Sequence, residues 1–77
     1  METENLVKMA NNICNYFQSE PDQTVAIHGA VDHITKFWEK RMRLAIARHY
    51  QAGGEGLCEL GKKVIARLVE LQPDLVQ

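Results

Sequence analysis

The side chains of this 77-residue chain that could catalyse a reaction or hold a metal are three histidines, two cysteines and ten carboxylates. Nucleophilic catalysis needs a base within hydrogen-bond reach of the nucleophile and a third group that orients the base. Metal binding needs His, Cys or carboxylate ligands at a spacing that lets them converge. Neither pattern is present. His28 and His33 are five positions apart, so on a helix they point about 140° away from each other and cannot share a metal. Cys14 and Cys58 have no neighbouring cysteine or histidine at ligand spacing, and both are expected to be small buried apolar residues. The Gly53-Gly54-Glu55-Gly56 segment lacks the Lys and Ser/Thr of a phosphate-binding loop, and no strand precedes it. It reads as a helix end followed by a loop. No catalytic, cofactor-binding or metal-binding residue is assigned, and the chain is expected not to be an enzyme by itself.

The residue types that stand out belong to recognition. Five of the nine Lys and Arg residues lie between positions 36 and 48, against the single acid Glu39. That segment carries +4 and the rest of the chain −5, so the formal net charge of −1 hides an asymmetric distribution. The only tryptophan, Trp38, sits in the basic stretch beside Phe37, and Met42 follows. Aromatic residues, Met and Arg are the types enriched in interface cores. Two readings stay open for Phe37, Trp38 and Met42: a docking surface, or the core of the domain itself. For Arg41 and Arg43 the interface reading is preferred, because Glu39 can pair with Arg43 at i,i+4 and leaves Arg41 free. Lys36 and Lys40 share a face if the helix is continuous, and repel slightly unless an anion or acidic partner is near. His33, four residues before Phe37, is expected to be a packing residue, since a lone imidazole lacks co-ligands.

The elements that position these residues are helical. Leu6, Ala10, Ile13 and Phe17 fall on one face of a helix from about Thr3 to Gln18, with Thr3 as its cap. A second helix follows Ser19, read as its N-cap, with Pro21 in the first turn and Ala26 or Ile27, Ala30 or Val31, Ile34, Phe37 and Trp38 as its stripe. Gly29 inside that stripe costs about 1 kcal/mol relative to Ala. It marks either a close helix contact or a tolerated glycine. Met42, Ala45, Ile46 and His49 or Tyr50 continue a helical period to about Ala52, either as one bent helix or as a separate one after a kink near Trp38 to Lys40. Glycines 53, 54 and 56 end it. Leu57, Leu60, Val64, Leu68 and Leu71 make the cleanest amphipathic stripe, and Pro73 stops that last helix. The expected fold is therefore all-α, a small single domain over 1–77 with three to four helices and a glycine-rich turn before the last.

Composition narrows the rest. A chain this short supplies only about 3–5 kcal/mol from its core, and two cysteines make no disulfide framework. No window of about 18 residues is free of charge, so no membrane partner is expected. The acidic start Met1-Glu2-Thr3-Glu4 lacks the basic residues of a secretory leader. The expected location is cytoplasmic.

The motifs also carry a family resemblance. Leu6-Val7-Lys8-Met9-Ala10-Asn11-Asn12-Ile13, then His33-Ile34, Phe37-Trp38 and Arg41-Met42-Arg43, and the Gly53-Gly54 and Gly56-Leu57 turn before the closing helix, resemble the delta subunit of soluble NAD-dependent formate dehydrogenase over about residues 5 to 71. One departure is Lys40, where the family usually has proline. The resemblance implies an accessory subunit, without a catalytic centre, of a cytoplasmic bacterial enzyme that oxidises formate with NAD. It implies that the larger subunits carry the bis-pterin molybdenum or tungsten cofactor, iron–sulfur clusters and flavin, and that this chain carries no cofactor.

Together the two readings make Phe37, Trp38, Arg41, Met42 and Arg43 the expected partner-binding residues, with His33, Lys36 and Lys40 as secondary candidates. The expected partners are the large subunits of formate dehydrogenase. A transient chaperone for molybdenum-cofactor insertion into the same enzyme is the alternative. A small helical nucleic-acid binder is disfavoured by the net charge of −1 and by the lack of a helix-turn-helix signature. An exposed docking surface would allow the isolated chain to self-associate.

Overall fold

A computed structural model describes residues 2–76. The described residues form four α-helices and no strand: α1 (Thr3–Phe17), α2 (Gln23–Phe37), α3 (Lys40–Gln51) and α4 (Glu59–Leu71), closed by a 3-10 turn, Pro73–Leu75. The all-α expectation holds, with four helices rather than three. The molecule measures 32 × 22 × 22 Å.

Each helix buries the stripe that its sequence writes, with adjustments at the ends. α1 buries Leu6, Val7, Ala10 and Cys14, and Ile13 and Phe17 pack half-buried at the edge of the same cluster. Thr3 is its first helical residue and not its cap; Glu2 occupies the cap position and makes no side-chain capping bond. Ser19 does not cap α2 either. The Glu20 N–H closes a turn onto the Phe17 carbonyl (3.0 Å), which keeps Ser19 and Pro21 in the connection. Asp22, with extended backbone, then caps α2 by accepting the Thr24 N–H at 2.9 Å.

α2 turns Ala26, Ala30, Val31 and Ile34 inward. Gly29 settles as a close contact: a Cβ built there would lie 2.6 Å from Cε1 of Phe17. The end of α1 is therefore seated on the one position of α2 without a side chain. α2 stops where Trp38 and Glu39 take extended ψ angles of 137° and 157°. The chain breaks into two helices here, and Lys40 occupies the first helical position of α3, the position at which proline is best tolerated.

α3 buries Ile46 and Ala47 and ends in a glycine cap. Gly54 N–H donates to the His49 carbonyl at 2.9 Å, and Gly53 and Gly54 have φ of +123° and +65°, a region that residues with a Cβ avoid. α4 starts two residues later than its hydrophobic pattern. Leu57 is buried ahead of the helix, and Cys58 is its N-cap, its Sγ accepting the Gly61 N–H at 3.3 Å. Val64, Ile65 and Leu68 are fully buried at the centre of the domain, whereas Leu71, the last member of the expected stripe, is exposed. The 3-10 turn folds the chain back and buries Leu75.

α4 packs against all three other helices, and so does α1. The successive helices α2 and α3 instead diverge from their shared corner, with α1 and α4 between them. That corner lies within the basic, aromatic stretch.

Candidate docking surface

The break between α2 and α3 separates two adjacent aromatic residues. Phe37 is the last residue of α2, and Trp38 is the first residue outside it. Trp38 turns into the core and is 5% exposed; Phe37 turns outward and is 71% exposed. Of the two readings left open by the sequence, Trp38 takes the core one, and it is not available to a partner on the folded chain. Its backbone N–H donates to the Ile34 carbonyl at 2.9 Å. His33 stacks obliquely on Phe37, with ring centroids 4.7 Å apart and planes tilted by 43°. Its role is to shelve that ring, as a packing residue would.

The cations divide in the same way. Lys36 pairs with Asp32 at 3.0 Å and Lys40 with Asp74 at 3.1 Å. The hydrogen bond from Lys40 holds the Asp74 carboxyl below its ordinary pKa, slight desolvation opposing it and the Lys40 and Arg43 charges assisting. Lys36 and Lys40 lie on different helices, so the expected repulsion along one face does not arise. Arg41 and Arg43 exchange the roles expected of them. Glu39 approaches Arg41 Nε at 3.7 Å, not Arg43. Glu39 is the extended N-cap residue, so the i,i+4 geometry that would pair it with Arg43 in a continuous helix is absent. Arg43 instead donates through Nη1 to Gln72 Oε1, and Gln72 Nε2 donates to Thr35 Oγ1 at 3.0 Å. This chain of bonds ties α3, the end of α4 and the end of α2 together. Arg43 Nε is buried without a hydrogen-bond partner. Met42 is half-buried against the core.

The surface that remains outward comprises the Phe37 ring on its His33 shelf, the Arg41 guanidinium, 75% exposed, and the head groups of Lys36 and Lys40. The first turn of α3 contains no acid, although Lys40, Arg41 and Arg43 stand at the positive end of its dipole, where cations are disfavoured. Glu39 at the N-cap and Asp74 from the 3-10 turn offset part of that charge. A flat ring beside a planar, delocalised cation suits a surface of mixed apolar and acidic character.

Sequence reasoning missed the residue that ties α1 to the glycine turn and the start of α4. Asn11 Nδ2 donates to the Gly56 carbonyl at 2.9 Å, and Asn11 Oδ1 accepts the Cys58 N–H at 3.0 Å. One side chain on α1 thereby fixes the glycine turn and the start of α4. The only signal was an asparagine, a poor helix former, inside a helical stripe. A cleft of about 830 Å³ opens beside this clamp between α1 and α3, with Lys8, Arg48 and Glu4 on its walls. Its rim is shaped by His49 Nε2, which lies 2.6 Å from the Glu55 carbonyl. Among the described residues no group of three or more His, Cys, Asp or Glu side chains is placed to hold a metal ion, and no helix is long and apolar enough to cross a membrane.

Comparison with known families supplies the identity. The family described as NADH-dependant formate dehydrogenase delta subunit FdsD matches residues 5–65, ending within α4 rather than at Leu71, and the chain belongs to that family. No curated protein and no solved structure shows a significant match to it.

Proposed function

We propose that the chain is a non-catalytic accessory subunit that docks on the larger subunits of a cytoplasmic NAD-dependent formate dehydrogenase and supports their assembly, stability or activity. In this reading the molybdenum or tungsten pterin, the iron–sulfur clusters and the flavin belong to the larger subunits. What supports it is family membership together with one observation: an exposed phenylalanine, Phe37, stands close in the chain to a helix start that presents an exposed arginine, Arg41. Phe37 and Arg41 are the contact residues, flanked by Lys36 and Lys40. Trp38, Met42 and Arg43 hold the corner in shape from within.

The test is co-purification of the larger subunits with tagged Phe37→Ala and Arg41→Glu chains. Both side chains are exposed, so both variants should keep wild-type helicity and melting midpoint. Truncating a central aromatic contact typically costs about 2 kcal/mol, and the expected result is roughly 30-fold weaker retention. Wild-type retention of both variants refutes this surface. Stoichiometric recovery with active enzyme marks a permanent subunit. Recovery only with enzyme lacking its pterin would replace this reading with that of an insertion chaperone.

A further inference from the structure

The chain has two cysteines, 44 positions apart, and the fold brings them together. Cys14 lies one turn beyond Asn11 on α1, and the Asn11 side chain holds the backbone N–H of Cys58 at 3.0 Å. A Cβ built on Gly61 would lie 3.3 Å from both Asn11 Oδ1 and Cys58 Sγ, so that sulfur is packed next to the α1 face bearing Cys14. Cys58 packs against the core cluster that contains Cys14, and both thiols are free. They differ in access. Cys14 is 1% exposed. Cys58 is half-buried and lines a groove of about 500 Å³ between the end of α1, the start of α2 and the start of α4, with Asn15, Gln18 and Gln23 on its walls.

We infer that Cys14 and Cys58 form a reversible thiol–disulfide pair that low-molecular-weight disulfides oxidise through Cys58, cross-linking α1 to the start of α4. With glutathione disulfide the exchange balances in two steps. Cys58 loses its proton and attacks one glutathione sulfur. The Cys58–glutathione bond forms, the glutathione S–S bond breaks, and the expelled thiolate takes up a proton. Cys14 then loses its proton and attacks Cys58 Sγ. The Cys14–Cys58 bond forms, the Cys58–glutathione bond breaks, and a second glutathione leaves as the thiol. Two protein thiols are oxidised and one external disulfide is reduced to two thiols. Access sets the order, because only Cys58 meets the groove. Burial, together with the neighbouring Cys58 sulfur, pushes the Cys14 thiol up to about 12, which makes the second step the slow one.

The experiment is intact-mass spectrometry of the full chain during incubation with glutathione disulfide, alongside Cys14→Ser, Cys14→Ala and Cys58→Ser. The wild type is expected to pass through a single glutathione adduct and end two hydrogen atoms lighter, with dithiothreitol restoring the starting mass. Both Cys14 variants should stop at the adduct, and Cys58→Ser should stay unmodified over the same interval. A wild type that ends as the adduct, that dimerises through a disulfide, or that loses no hydrogen overturns the inference. So does a Cys58→Ser chain modified as fast as the wild type. The wild-type endpoint needs no substitution, so it decides the question even if a Cys14 variant folds poorly. A cross-link closing a loop of this length should also raise the melting midpoint of the oxidised chain by about 10 °C or more.

Discussion

Replacing Asn11 by alanine should destabilise this domain out of proportion to the size of the change. The wild-type side chain makes two bonds across the chain, donating to the Gly56 carbonyl at 2.9 Å and accepting from the Cys58 N–H at 3.0 Å. Each is worth about 1 kcal/mol net, and leaving the partly buried Cys58 N–H without a partner adds a fraction of its desolvation cost. The gross loss is roughly 2–3 kcal/mol. Against it stands the better helix propensity of alanine in the middle of α1, about 0.6 kcal/mol. The expected net loss is therefore about 2 kcal/mol, near half of what a core of this size supplies. It corresponds to a fall in melting midpoint of roughly 8–16 °C. The assay is thermal and urea unfolding followed by far-ultraviolet circular dichroism. Asn12→Ala is the control: Asn12 is an exposed neighbour on the same helix, so it should gain about 0.6 kcal/mol from propensity alone. Asn11→Asp keeps the acceptor for Cys58 but loses the donor to Gly56, and should fall between. If Asn11→Ala lies within 0.5 kcal/mol of the wild type by this order-of-magnitude scale, or tracks Asn12→Ala, the clamp does not hold the turn and the reasoning fails.

Three further outcomes follow from the packing. Trp38→Ala removes a core side chain that is 5% exposed, at a cost of about 3–5 kcal/mol, so the isolated chain should lose cooperative unfolding; a sharp transition near the wild-type midpoint would show that Trp38 is not structural. Gly29→Ala, which on an open helix face would stabilise by about 1 kcal/mol, should be neutral or destabilising because the new Cβ meets the Phe17 ring at 2.6 Å. In a Phe17→Ala background the same substitution should stabilise by about 1 kcal/mol, and equal effects in both backgrounds would deny the contact. Finally, Cys14 has a folded-state pKa near 12 against 9.0 for the free thiol. Between those values the unfolded chain has already lost the proton that the folded chain keeps, so stability is complete below the lower value and falls as pH rises, by up to about 1.4 kcal/mol per pH unit. The urea midpoint of Cys14→Ala should decline less steeply over that alkaline range than that of the wild type, and parallel declines would contradict the assignment.

Much of the architecture was legible because it is written in short-range patterns. The apolar periods of α1 and α4, the glycines after α3 and the proline after α4 act through residues no more than four apart, and they place the helices as expected except at the ends of α4, where Leu57 precedes the helix and Leu71 is exposed. The helix starts were misplaced by a few residues because Ser19 and Asp22 are both competent caps, and the turn onto the Phe17 carbonyl selects Asp22. The candidate surface was legible as a segment but not residue by residue. The end of α2 at Phe37 leaves one ring outside and puts the next, Trp38, into the core, and the break that follows gives Glu39 to Arg41 and Arg43 to Gln72.

By itself, then, the sequence determined an all-helical domain with its charge concentrated at one stretch and a family resemblance carried by short motifs, because helix periodicity and turn chemistry are local. Tertiary structure alone decided that Phe37 faces solvent while Trp38 does not, that Asn11 clamps a turn 45 positions away, and that Cys58 lies beside the α1 face that bears Cys14. Those outcomes depend on how four helices close around Val64, Ile65 and Leu68. A contact between distant residues is set by the packing of whole helices, and no local pattern in either partner encodes it.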